Sequence, residues 1–110
     1  MGNPDSYQPE RRKYPRTKTP VQIELRPEGS NVPIRVQTAD IGVGGCYVEM
    51  GITLEVGSRL TAVFWLGDQK MVVSGLVITC HPQFGNGIEF VGLSKPDQDK
   101  LTSFLKTISE

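Results

Sequence analysis

Two clusters in this chain hold residues that could do chemistry together. Arg11-Arg12-Lys13-Tyr14-Pro15-Arg16 puts four fixed positive charges in six residues, and Asp40-Ile41-Gly42-Val43-Gly44-Gly45 is a carboxylate followed by glycines. A guanidinium stays ionised and offers a planar fork of donors, so Arg12 and Arg16 can grip phosphate oxygens from different angles. Asp40 offers two carboxylate oxygens that match the adjacent N–H donors of a guanine edge, and Gly42 and Gly45 permit positive φ or close approach of a ligand. Tyr14, between the arginines, can stack on a base or pack its ring under the leader. Each cluster also has a plainer reading: the basic run as a solvated flank, and Asp40 as an Asx turn closing a strand.

The elements that must position these residues fit one domain, since 110 residues support a single hydrophobic core and little more. No apolar run is long enough for a membrane span, and the first fifteen residues lack the apolar centre of a secretory signal, so the expectation is a soluble, cytoplasmic protein. Net charge is zero but uneven: residues 1–35 carry seven basic and four acidic groups, residues 36–110 five and eight. That local excess favours a small anionic ligand over a long nucleic acid, which would call for a broad basic face. Cys46 and Cys80 are far apart and read as two buried thiols. His81 is the only imidazole and pairs with no recognisable nucleophile, so neither a metal site nor a catalytic set is expected, and no cofactor.

Residues 1–10 read as a flexible leader and 11–110 as the folded domain. Val21, Ile23 and Leu25, then Val32, Ile34 and Val36, alternate as two strands of a hairpin around Pro27-Glu28-Gly29-Ser30-Asn31. Asp40 to Gly45 interrupts the alternation, which Cys46, Val48 and Met50 resume. In the turn region Gly51 to Gly57, Leu54 and Val56 are candidates to enter the core. Arg59 to Leu66 is an apolar strand, Gly67-Asp68 a tight turn, Met71 to Cys80 a long strand with Gly75 as a bulge or close approach, and Gly87 to Val91 a shorter one. Phe64, Met71 and Phe90 read as core, Glu49 and Glu89 as solvated, and Trp65 as either core or interface. At the C-terminus the period changes: Ser94 caps, Pro96 sits in the first turn, Asp97 takes the box position, and Leu101, Phe104, Leu105 and Ile108 share a face. Six short strands and one amphipathic helix predict an all-β, small six-stranded antiparallel barrel with a C-terminal α-helix against it.

The placement of Arg12-x-x-x-Arg16 before the first strand and Asp40-x-Gly42-x-x-Gly45 after the second resembles the two signature elements of PilZ domains. The resemblance runs over about residues 10–108 and continues in Leu54-x-x-Gly57, the strand around Phe64, Gly87-Ile88-Glu89-Phe90 and the closing helix. It implies a receptor for cyclic di-GMP. Arg12 and Arg16 would hold phosphates and meet guanine, Arg11 would add charge at the rim, Asp40 would take a guanine edge, and Gly45 would leave room for the ligand; Tyr14 and Gly44 are secondary candidates. The leader would wrap the dinucleotide and alter contact with an effector protein in motility, adhesion, exopolysaccharide production or virulence. The family's loop usually carries serine where this chain has Gly42. One lost hydrogen bond is worth roughly 0.5–1.5 kcal/mol, about two- to tenfold in affinity.

That departure motivates the alternative of a degenerate PilZ-like interaction module that does not bind the nucleotide. A third reading, a barrel for single-stranded nucleic acid, draws on the five basic groups from Arg11 to Lys18 but lacks a basic face. The sequence leaves monomer and homodimer both open.

Overall fold

The computed structural model describes residues 16–108. Six strands, β1 (Gln22–Pro27), β2 (Ile34–Gly42), β3 (Gly45–Glu49), β4 (Arg59–Leu66), β5 (Gln69–His81) and β6 (Gly85–Val91), precede one helix, α1 (Lys95–Ile108). All neighbouring strands are antiparallel, and the sheet closes on itself in the order β1-β2-β3-β6-β5-β4. Closure removes the open edges that a six-strand sheet would otherwise expose. The barrel and its helix are as the alternating and helical periods predict.

Alternation fills the barrel: Ile23 and Leu25, Leu60, Ala62 and Phe64, Met71, Val73 and Val77, and Ile88 and Phe90 all point inward and are buried. Each large side chain taken from water contributes about 1.5–3 kcal/mol. Phe64 and Phe90 stack at 5.8 Å between centroids, and both are core, as is Met71, while Glu49 and Glu89 are exposed. Gly75 is a close approach and not a bulge, because a Cβ there would come within 2.9 Å of both Ile88 Cγ2 and Leu60 Cδ1. The bulge in β5 falls at Ile78. Gly67, at φ +65°, makes the Gly67-Asp68 hairpin between Leu66 and its partner Gln69.

The helix starts where its cap predicts. The Asp97 amide donates to Ser94 Oγ at 3.3 Å and the Gln98 amide to the Ser94 carbonyl at 2.8 Å. Leu101 and Leu105 are buried and Phe104 packs against the core, but Ile108, in the last turn, stays 41% exposed. The helix lies against β2 and β4.

Three expectations change, at Val32, Val56 and Cys80, and the open choice at Trp65 is decided. Val32 is exposed and precedes β2; the Val32 amide turns back and donates to Ser30 Oγ at 3.1 Å, and Pro33 follows it. Val56 is exposed, and only Leu54 packs on the core. Cys46 is buried but Cys80 is half-buried. Trp65 faces outward, opposite Lys70, and is half exposed.

Candidate functional site

The strand β2 was expected to end at Asp40; it runs on to Gly42, and the turn to β3 is only Val43-Gly44. A β-bulge accounts for the difference. Thr38 pairs with Val48 and Asp40 with Tyr47, so β2 spends two residues where β3 spends one, and Ala39 is the extra one. Ile34, Val36 and Thr38 share one parity, and were these same residues paired without the bulge Asp40 would follow them toward the barrel interior. With it, Ile41 takes the next inward place, fully buried opposite Cys46, and Asp40 comes out beside the chain that enters β1.

That entering chain is tied down along β2. The Thr17 amide donates to the Ile41 carbonyl at 2.8 Å, and the Ile41 amide to the Thr17 carbonyl at 2.9 Å. The Thr38 hydroxyl, almost fully buried, donates to the Thr19 carbonyl at 2.7 Å and accepts the Val21 amide at 2.9 Å. Held this way, Arg16 places Nη1 3.2 Å from Asp40 Oδ1, with 14% and 18% of the two side chains exposed. The basic motif's last arginine and the loop carboxylate, 24 residues apart in sequence, therefore form one charged pair on the outer wall. Arg11, Arg12 and Tyr14 lie outside the described residues.

Beneath the pair sits Cys46. Burial pushes its thiol up to about 12, Arg16 pulling down and Asp40 pushing up by smaller amounts. It stays protonated at neutral pH and is no nucleophile. Gly42 and Gly45 pair across the turn, and the Gly44 carbonyl accepts the Phe90 amide at 2.9 Å. A Cβ on Gly45 would lie 2.1 Å from the Ile88 carbonyl oxygen, so the space its side chain would need is taken by the backbone of β6. The sheet itself demands glycine there.

Next to the pair an open groove of about 530 Å³ runs between the entering chain and β2, lined by Lys18, Thr19, Pro20, Gln37, Thr38, Ala39 and Glu49. Its size falls within the ~300–1,000 Å³ of small-molecule sites. The sequence reading missed this groove, Thr38 and the buried Asn86. Asn86 accepts the Leu54 amide at 2.8 Å and donates to the carbonyls of Leu54 at 2.8 Å and Thr79 at 3.1 Å, holding the 51–57 turn to the barrel. A polar residue at an inward-parity position is the one signal that could have found the last two. Among the described residues no group of three or more His, Cys, Asp or Glu is placed to hold a metal ion, and no helix is long and apolar enough to cross a membrane.

A closed six-stranded antiparallel barrel, flanked by one helix and carrying an arginine-carboxylate pair and a polar groove on its wall, defines a small β-barrel module. The chain belongs to the PilZ domain family, whose pattern matches residues 10–107. Members of this family are non-catalytic receptor and adaptor domains. No curated protein matches it in sequence. Among solved structures it is similar to the PilZ domain with c-di-GMP of YcgR from Escherichia coli, at TM-score 0.76 and 15% identity over 90% of this chain and 92% of that one. It is also similar to the Bacillus subtilis inhibitor of motility MotI/DgrA, at TM-score 0.74 and 19% identity over 89% of this chain. The match spans about half, 51%, of that longer chain. The PilZ domain of CeSA from a cellulose-synthesizing bacterium aligns at TM-score 0.69 and 11% identity, over 86% and 98% of the two chains. At these identities the likenesses establish the fold.

Proposed function

We propose that this chain is a cyclic di-GMP receptor that changes conformation on binding and regulates an effector protein, in motility, adhesion, exopolysaccharide production or virulence, with Arg11, Arg12, Arg16, Asp40, Gly42 and Gly45 as its ligand site. The observation that carries it is the Arg16–Asp40 pair at 3.2 Å, which joins the two motifs on one wall of the barrel. Family membership and the similar YcgR domain, described with c-di-GMP, support the choice of ligand. Residues 1–10 are the leader and 11–110 the domain.

Reach permits the rest. Thr17 is anchored to Ile41, and Arg12 stands five residues before it. Five residues span at most about 17 Å, enough for Arg12 to return to Asp40 and short enough to keep it near the groove. A phosphate arriving between the arginines competes with Asp40 for Arg16, freeing the carboxylate for a guanine edge. The leader, closing over the ligand, alters the surface offered to the effector.

Calorimetric titration with cyclic di-GMP tests this. Binding at micromolar strength or tighter is expected, with Arg12→Ala or Arg16→Ala removing most of the heat; a flat titration to high micromolar ligand sinks the proposal. The second reading, an interaction module that has lost the nucleotide, rests on Gly42, which brings no hydroxyl to the turn. A partner captured only in the presence of cyclic di-GMP contradicts it.

A further inference from the structure

On the wall beside Asp40, β3 presents a ring that neither signature motif includes. Tyr47 is the direct cross-strand partner of Asp40 on one side and of Gly87 on the other. Directly opposed residues on one face have Cβ atoms about 4.5–5.5 Å apart, so whatever occupies the Asp40 carboxylate lies within reach of this ring. The two successive outward positions on β6 at this level, Gly85 and Gly87, are both glycine. A Cβ on Gly85 would stand 2.7 Å from the Tyr47 hydroxyl and 2.8 Å from its ring, so the ring lies down over the strand in space that a side chain would fill. Its hydroxyl is hydrogen-bonded to His81 Nδ1 at 2.9 Å, and the two rings meet at 5.8 Å, tilted by 50°. Tyr47 itself is half-buried.

We propose that Tyr47, positioned by His81 and Gly85, is the stacking platform for the guanine base whose edge Asp40 holds. The inference rests on the cyclic di-GMP reading and deepens it by adding a base-recognition residue. On this reading guanine, held by its N1–H and N2–H edge at the Asp40 carboxylate, extends its rings along the wall toward β3, the strand that carries Tyr47 opposite Asp40. A ring already held at its tip by His81 and seated on glycine loses little rotamer freedom when a base stacks on it, so most of the stacking energy appears as affinity. His81 is a positioning residue: it holds the phenol and does not touch the base.

Calorimetry of the whole chain with cyclic di-GMP, wild type beside Tyr47→Ala, Tyr47→Phe and His81→Ala, tests the platform, with thermal melts to confirm that each variant folds. Tyr47→Ala is expected to weaken binding about tenfold or more. Tyr47→Phe keeps the ring and is expected to stay within about threefold of wild type, with His81→Ala between the two. In wild type, NMR is expected to show contacts between the Tyr47 ring protons and guanine H8. Wild-type affinity in Tyr47→Ala, absence of those contacts, or a Tyr47→Phe as weak as the alanine variant overturns the platform while leaving the receptor proposal standing. A wild-type chain that gives no heat overturns both.

Discussion

Thr38 and Asp40 stand two residues apart on one strand and belong to opposite sides of the barrel wall. Thr38 is 3% exposed and keeps the inward parity of Ile34 and Val36; Asp40 is outside, 3.2 Å from Arg16. The bulge at Ala39 is the whole difference: it sets two residues of β2 against one of β3 and so brings out Asp40, which unbroken alternation of these residues would send inward.

Removing Ala39 should make the strand regular: Asp40 then follows Thr38 directly and stays outward, with Ile41 inward opposite Cys46. The deletion variant is therefore expected to fold and to keep ligand heat, losing at most several degrees of melting temperature because the Thr17 and Thr19 anchors on β2 come one residue closer together. Ala39→Ser, which keeps the residue count and the bulge, should leave both near wild type. A deletion variant that does not fold would refute this account of the bulge.

The Thr38 hydroxyl is the clamp on the entering chain. Thr38→Val matches its shape but leaves the Thr19 carbonyl and the Val21 amide without their partner, and about 1–3 kcal/mol of stability should be lost. Thr38→Ser should recover most of it. Denaturant midpoints at a common slope measure the difference; a change below about 0.5 kcal/mol shows that water replaces the hydroxyl.

Gly42 lies inside β2, in extended backbone that serine adopts without strain. Gly42→Ser supplies the hydroxyl that the family usually carries at this position. Cyclic di-GMP affinity is expected to rise about two- to tenfold, read by calorimetry. Weaker binding in a variant of unchanged stability would show that the glycine is itself part of recognition.

Cys46 makes a pH prediction. Its thiol is raised by burial from an ordinary value near 9.0 to about 12, so the folded state holds a proton that the unfolded chain releases earlier. The associated stability is complete below pH 9 and declines as pH rises from 9 toward 12. At pH 8 iodoacetamide should label the half-buried Cys80 and spare Cys46 until the chain unfolds, with mass spectrometry of the native protein as the readout. Rapid native labelling of Cys46 would contradict its place beneath the Arg16–Asp40 pair.

Much of the barrel was legible in the chain because it rests on neighbours. Alternation at Ile23 and Leu25, the Gly67-Asp68 turn, and Ser94 with Leu101 and Leu105 are local patterns, and each element formed where its own residues put it. Arg16 and Asp40 could be singled out by charge and spacing, but their meeting could not be derived. A bulge is a mismatch between two strands, so the count of residues on β2 has meaning only against the count on β3. The same holds for Gly45, whose missing side chain makes way for the Ile88 carbonyl of β6, a strand 40 residues later in the chain. Tyr47 and His81 are likewise brought together by barrel closure, 34 residues apart in sequence. Local propensity determined the elements; long-range register decided which side chains shared a wall, because pairing energy depends on both strands at once.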